Sequence, residues 1–376
     1  MSTDTALIEK REELKRRLTV GEYKTLVDVF LAWTNRVIQK ITRQTKPLPL
    51  WLMTVFLGLV INLIFSGVVY ISGNLITIRH ITEMFGIGYG LYFLLVSNSV
   101  FIIAITPVII INQFIHRVIV LWRDDILDAT ESVQSLQEFE DWLEKVCNLR
   151  LHFLVVIFVG LLTSFAMLAI TNTQVGVFPG YGSIFGIISP NMVGASFVYQ
   201  FTMVILLQIM LRSYDLKLFA ADPATSELLS RLSGELTFIV YFIAFFSAFL
   251  TLGNVVIGTF RTVGIFLVLV LWLPIIAMFI LNQTTLSGIV RRAKWKSLNE
   301  VQAKIEKLRA SKSFGSPKTM DAINKLMDYH DRVKATRNSA LNSGAILGFI
   351  NSLLLPLLAF LLGNLDKLMA LFQQKP

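Results

Sequence analysis

The chain has 376 residues, of which 54% are hydrophobic, 28 are Phe and only 16% are charged, with a formal net charge of +9. Soluble domains carry about 25% charged residues, so an ordinary soluble globular protein is excluded. So are an internal disulfide framework and a cysteine-rich metal site, because Cys147 is the single cysteine.

From the N-terminus, residues 1–49 are expected to form a cytoplasmic region. The basic residues Lys10, Arg11, Lys15, Arg16 and Arg17 are not followed by a short apolar run with a small-residue cleavage site, so no cleavable leader is expected. Leu26, Val29, Phe30, Trp33, Val37 and Ile41 share one helix face, with Asp28, Arg36, Lys40 and Arg43 elsewhere. That pattern predicts an amphipathic helix, lying at the membrane interface or packed on protein.

Residues 50–290 are expected to hold six transmembrane helices, at 50–74, 91–121, 151–170, 193–211, 236–256 and 263–289. The 60 residues from His152 to Leu211 contain no Asp, Glu, Lys or Arg. At roughly 20 residues per crossing, they make room for two spans and a neutral loop. Pro107 in the second span and Pro274 in the sixth are expected to kink their helices. Gly86-Ile87-Gly88-Tyr89-Gly90 repeats the end of the potassium-channel filter, but it lacks the leading threonine and a preceding pore helix, so it reads as a glycine-rich turn. Val177-Phe178-Pro179-Gly180-Tyr181-Gly182 is expected in the neutral outer loop between spans three and four.

Between spans two and three, residues 122–150 read as a helical cytoplasmic segment. It is acidic, with eight carboxylates in 124–145, and Leu127, Leu136, Phe139 and Leu143 are spaced to pack. Residues 291–340 read as a basic cytoplasmic helical hairpin. Leu298, Val301, Ile305 and Leu308 recur at helical spacing, Phe314-Gly315-Ser316-Pro317 makes a turn, and Ile323, Leu326, His330 and Val333 recur again. Residues 341–376 hold a seventh transmembrane helix at 341–362 and an external tail.

Seven spans put the termini on opposite sides, and Lys and Arg decide which. Ten lie in residues 1–49, four between spans two and three, three between spans four and five and thirteen before the last span. Against them stand Arg79, Arg261, Lys367 and Lys375. The N-terminus is therefore expected in the cytoplasm and the C-terminus outside, in an all-α, multi-pass protein of the cell membrane. The basic residues are assigned to orientation and to membrane lipids, not to nucleic acid.

The spans hold almost no formal charge, which argues against proton-coupled exchange, pumping or voltage sensing. In the last span Ala340, Gly344 and Gly348 recur every fourth residue and suit close helix packing. Asn342, Ser343, Asn351, Ser352 and Leu355 are candidate pore-lining residues there, and Pro356 is a further kink. His80, His116, His152 and His330 are far apart in this topology and give no metal-ligand spacing. Asp124-Asp125-Ile126-Leu127-Asp128 and Asp328-Tyr329-His330-Asp331-Arg332 lack the leading Asn and the following Asp of the aspartate-rich prenyltransferase motif, and read as solvated helix faces. No catalytic residue, metal or cofactor is therefore expected, and the protein does not read as an enzyme.

With residues 318–340 as a cytoplasmic half-helix running into 341–362 as a membrane half-helix, the layout resembles the seven-transmembrane ion-channel class of insect odorant and gustatory receptors. The resemblance lies in topology and covers the whole chain. At the last-helix signature of that class, Thr-Tyr followed by a Gln-Phe pair, this chain reads Gly348-Phe349-Ile350-Asn351-Ser352. The resemblance implies a homo-oligomeric passive ion channel with the last helix lining the pore. Two other readings stand beside it. One is a facilitator of a neutral or lipophilic solute built on the kinked spans. The other is a non-transporting scaffold or sensor whose hairpin and acidic segment bind a cytoplasmic protein.

Overall fold

The computed structural model describes residues 3–43, 46, 48–71, 87–175, 181–219, 221–257, 261–310 and 316–338. They fold into helices α1 (Thr3–Val20), α2 (Leu26–Thr42), α3 (Leu50–Ile71), α4 (Ile87–Leu121), α5 (Val133–Val146), α6 (Leu149–Val175), α7 (Tyr181–Leu211), α8 (Glu227–Ile257), α9 (Arg261–Arg309) and α10 (Pro317–Ala335). A five-residue π-turn at Trp122–Ile126 and one α-turn at Leu127–Ala129 prolong α4, and a 3-10 turn at Pro223–Thr225 precedes α8. Among the described residues there is no strand, and the isolated bridge is Thr130 opposite Leu216. Among the described residues, five helical stretches are long and apolar enough to cross a membrane, Ile102–Ala129, Leu149–Ala166, Pro190–Leu211, Glu227–Ser247 and Trp272–Arg309, with a shorter apolar stretch at Leu50–Val60. Helix is the expected state for such sequence, because hydrocarbon offers no partner to an exposed peptide group.

Several boundaries differ from those the sequence suggests. The span expected at 193–211 is a helix that begins at Tyr181 and runs through Pro190, and the one expected at 151–170 continues to Val175. The helix of the expected fifth span starts nine residues early, at Glu227. Proline and glycine read as loop by propensity, whereas the need to satisfy every backbone group internally favours a longer helix. Ile87–Gly90 is the first turn of α4, so these residues have no filter-like extended backbone. Pro107 and Pro274 lie inside α4 and α9, each of which is continuous through its proline.

The chain forms two compact units. One comprises Met1–Arg16, Arg117–Phe139 and Ile205–Pro376. At its centre Trp122, fully buried, stacks on Phe139 with centroids 4.8 Å apart and meets Tyr214 edge-on at 6.0 Å. Leu127 and Leu136 are likewise buried. A two-bond backbone clip closes this region: the Glu131 N–H donates to Asp215 O at 3.3 Å and the Lys217 N–H to Ala129 O at 2.8 Å. In the same unit α10 packs on the polar end of α9 through Val301, Ile305 and Ile323, flanked by Leu308, Leu326 and Tyr329. Ser316 caps α10, accepting from the Thr319 N–H, and Pro317 occupies the first helical position, where no N–H is needed.

The other unit comprises Arg17–His116 and Glu140–Val204. Val27 of α2 packs with Ile105, Val108 and Ile109 of α4, and Leu31, Leu50, Leu57, Val193 and Phe197 close around them. The capping box at Thr25 starts α2: its hydroxyl accepts from the Asp28 N–H and the Asp28 carboxylate accepts from the Thr25 N–H. Gly160 of α6 lies against Met192 of α7, where a Cβ would sit 3.1 Å from the Met192 Cα. On α6, Leu151, Leu154, Phe158, Leu162 and Phe165 form an exposed stripe, an apolar surface suited to acyl chains rather than water.

Candidate functional site

Polar side chains held among the apolar helices are the places where chemistry other than packing is available. In the second unit, Asp28 of α2 collects three residues. Its Oδ1 accepts from Asn112 Nδ2 at 2.8 Å and from His116 Nε2 at 2.8 Å, both on α4, and its Oδ2 accepts from the Thr25 N–H at 2.9 Å. The Thr25 hydroxyl donates to Asn112 Oδ1 at 2.6 Å. Burial works against the Asp28 charge, but the hydrogen bonds from His116, Thr25 and Asn112 outweigh it and hold the carboxyl down to about 2. The nearby Cys147 thiol is pushed up to about 12, burial being the main cause, which disfavours the thiolate. In the same unit His152 is buried, stacks on Tyr199 at 4.1 Å and pairs its Nε2 with Ser196 Oγ at 3.0 Å. The Tyr199 hydroxyl donates to the Lys145 carbonyl. Both amide atoms of Gln200, which is 2% exposed, lack a hydrogen-bond partner.

In the first unit, Gln208 on α7 and Asn282 on α9 are fully buried, and neither amide has a partner on its oxygen or its nitrogen. Thr285, one turn beyond Asn282, donates to the Gln208 carbonyl at 3.1 Å, which brings these stretches of α7 and α9 together. An unpartnered buried polar atom costs about 1–3 kcal/mol, so such groups call for water or another polar guest.

Charged residues of this unit gather at the helix ends. Arg292 caps the C-terminus of α7, donating to Tyr214 O at 3.0 Å and to the carbonyls of Leu211 and Arg212. Lys294 is 6% exposed, and its Nζ donates to Lys334 O at 2.8 Å, Thr336 O at 2.7 Å and Asn338 Oδ1 at 2.8 Å. It thereby caps α10 with a full positive charge at the negative end of the helix dipole. Lys296 pairs with Glu131, Arg231 with Asp125 and Glu227, Lys15 with Asp128, and Arg123 with Asp124. An open groove of about 400 Å³ lies among Asp124, Asp125, Asp128, Lys217, Glu227 and Arg231. Its carboxylates are engaged by these cations. Among the described residues no cluster of three or more His, Cys, Asp or Glu side chains is placed to hold a metal ion.

Of the residues singled out by sequence, Ala340, Asn342, Ser343, Gly344, Gly348, Asn351, Ser352, Leu355 and Pro356 lie outside the described residues. Pro107 is buried and Pro274 exposed. Asn112 and Asn282 are polar residues within apolar runs of the sequence, a weak signal for a buried polar site. Asp28 stood out only as a residue off the apolar face, and nothing linked it to a partner 88 positions away. Gln200 and Gln208 carry a faint signal as isolated amides in a long neutral run. The role of Lys294 had none, because one lysine in a basic segment looks solvated.

No family model matches the chain, and neither a curated protein nor a solved structure matches it.

Proposed function

We propose that this protein is a passive ion channel assembled from several copies, with the last apolar segment around the pore axis. The chain crosses the membrane seven times, with the N-terminus cytoplasmic and the C-terminus outside. The observation that carries the reading is that the membrane-level interior is polar without being charged. Residues 84–116, 151–211, 236–260 and 262–290 contain no Asp, Glu, Lys or Arg, while Gln200, Gln208 and Asn282 keep buried amides with no partner. Fixed charges usually mark coupled-ion and proton pathways, whereas neutral amides and water suit passive permeation. Lys294 holds the end of α10 through Lys334, Thr336 and Asn338, shortly before the last apolar segment of the sequence begins. The same assembly suits the layout of the seven-transmembrane channel class described above.

Single-channel recording from the purified protein in pure-lipid bilayers is the test. Unitary current steps are expected; silence across cations, anions, ligands and membrane tension overturns the proposal. The unpartnered amides also favour a second reading. They offer both donors and acceptors, so a small neutral polar solute is the alternative cargo, and saturable flux into proteoliposomes without unitary steps selects it.

A further inference from the structure

Placed at about 100° per position, the residues of helix α2 divide into a buried arc, an open apolar arc and a basic arc, the last two interleaving at Val29 and Lys40. One arc is buried: Val27, Thr34 and Ile38, with Leu31 beside them, pack on the protein. The second is apolar and open, with Val29 and Phe30 about half exposed, Trp33 53% exposed and Ile41 69% exposed. The third carries Arg36, Lys40 and Arg43, all exposed, and no ion pair engages them among the described residues. An exposed apolar arc beside an exposed basic one is costly in water and suits a lipid interface.

Depth supports the same occupant. Val27 of α2 clusters with Leu50 and Leu57, which lie in the first turns of the apolar helix α3. The link between the two helices is clipped back onto α2, because the Leu48 N–H donates to Asn35 Oδ1 at 3.4 Å. The open arc therefore lies at the level where α3 begins, and Trp51, 67% exposed, stands at that same level. Tryptophan favours this boundary between headgroups and acyl chains. On its far edge α2 is tied to α4 through Asp28, Asn112 and His116.

We propose that α2 is an in-plane docking helix for an anionic phospholipid leaflet. Val29, Phe30, Trp33 and Ile41 enter the acyl region, Arg36, Lys40 and Arg43 meet the headgroup phosphates and carboxylates, and the Asp28 latch fixes which face turns outward. The inference is independent of whether the protein conducts. It goes beyond the amphipathic pattern alone, because burial separates the lipid face from the protein face and the polar latch locks the division.

The test uses the full-length chain in nanodiscs of phosphatidylcholine, with or without phosphatidylserine. With Cys147 replaced (C147S), an environment-sensitive fluorophore is placed at W33C, at F30C or, as an aqueous reference, at the exposed K318C. The labels at 33 and 30 are expected to be quenched by brominated acyl chains and shielded from iodide, the reference label the reverse. Phosphatidylserine is expected to deepen the quenching at 33, and the combined R36E, K40E and R43E substitutions to abolish that dependence. In the unsubstituted protein, amide exchange across residues 26–42 is expected to slow when phosphatidylserine is added, a measurement that needs no variant to fold. A label at 33 that iodide reaches as freely as the reference overturns the proposal. So does indifference of both quenching and exchange to the anionic lipid, which would leave a purely apolar anchor.

Discussion

Three donors meet the Asp28 carboxylate, and its charge contributes to stability only while they find it ionised. Its ordinary value of 3.8 is lowered to about 2 in the folded chain. The contribution is therefore complete above pH 3.8 and is lost as pH falls through about 2. Allowing for solvent screening of a partly exposed group, it amounts to about 1–2 kcal/mol. Asp28→Asn keeps the shape and loses the charge. It is expected to lower the melting temperature at neutral pH and to flatten the acid limb of a stability profile between these two values. An unchanged acid limb would show that other carboxylates govern it. Gly21 at +69° and Arg43 at +54° mark the ends of α1 and α2 by left-handed backbone. Only the first could be anticipated from residue type, because arginine at such a position has no sequence signature.

Helix pairing supplies a prediction at the level of elements. Close packing of small residues is expected in the last span, which lies outside the described residues; among the described residues α3 approaches α4 closely at Gly58, and α6 approaches α7 closely at Gly160. A Cβ there would lie 3.1 Å from the Met192 Cα and 3.2 Å from its Cγ, while one at Gly194 on α7 meets nothing within 4 Å. Gly160→Ile is expected to cost about 1–3 kcal/mol by forcing the helices apart, read as a clear drop in melting temperature of the detergent-solubilised protein. Gly194→Ala is expected to leave it unchanged. Equal losses at both positions would remove the close approach as the cause. The hairpin of α9 and α10 was legible in advance because its burial is periodic: Leu298, Val301, Ile305, Ile323 and Val333 are all buried. The helix ends near 181 and 227 were less legible, because turn-forming residues and two turns of charged residues hide helix that the membrane environment and end contacts support.

For the whole molecule, the proposed orientation makes a prediction of its own. Epitope tags on the two termini of the protein in intact cells are expected to differ, the C-terminal tag reacting with external antibody and the N-terminal tag only after permeabilisation. A shielded C-terminus or an exposed N-terminus would end the seven-span arrangement and the pore built on it. Hydropathy by itself determined the helical class and the presence of several membrane-length helices, because burying an unpaired backbone in hydrocarbon leaves a long apolar segment few other choices. Tertiary structure decided which faces meet protein and which remain open. It also decided that Asp28 joins Asn112 and His116, that Lys294 closes α10, and that the amides of Gln208 and Asn282 are left without partners. The physical reason is that lipid and protein interior are almost equally apolar. Hydrophobicity along the chain therefore does not distinguish them, and polar groups far apart in sequence are paired only by the packing of the helices that carry them.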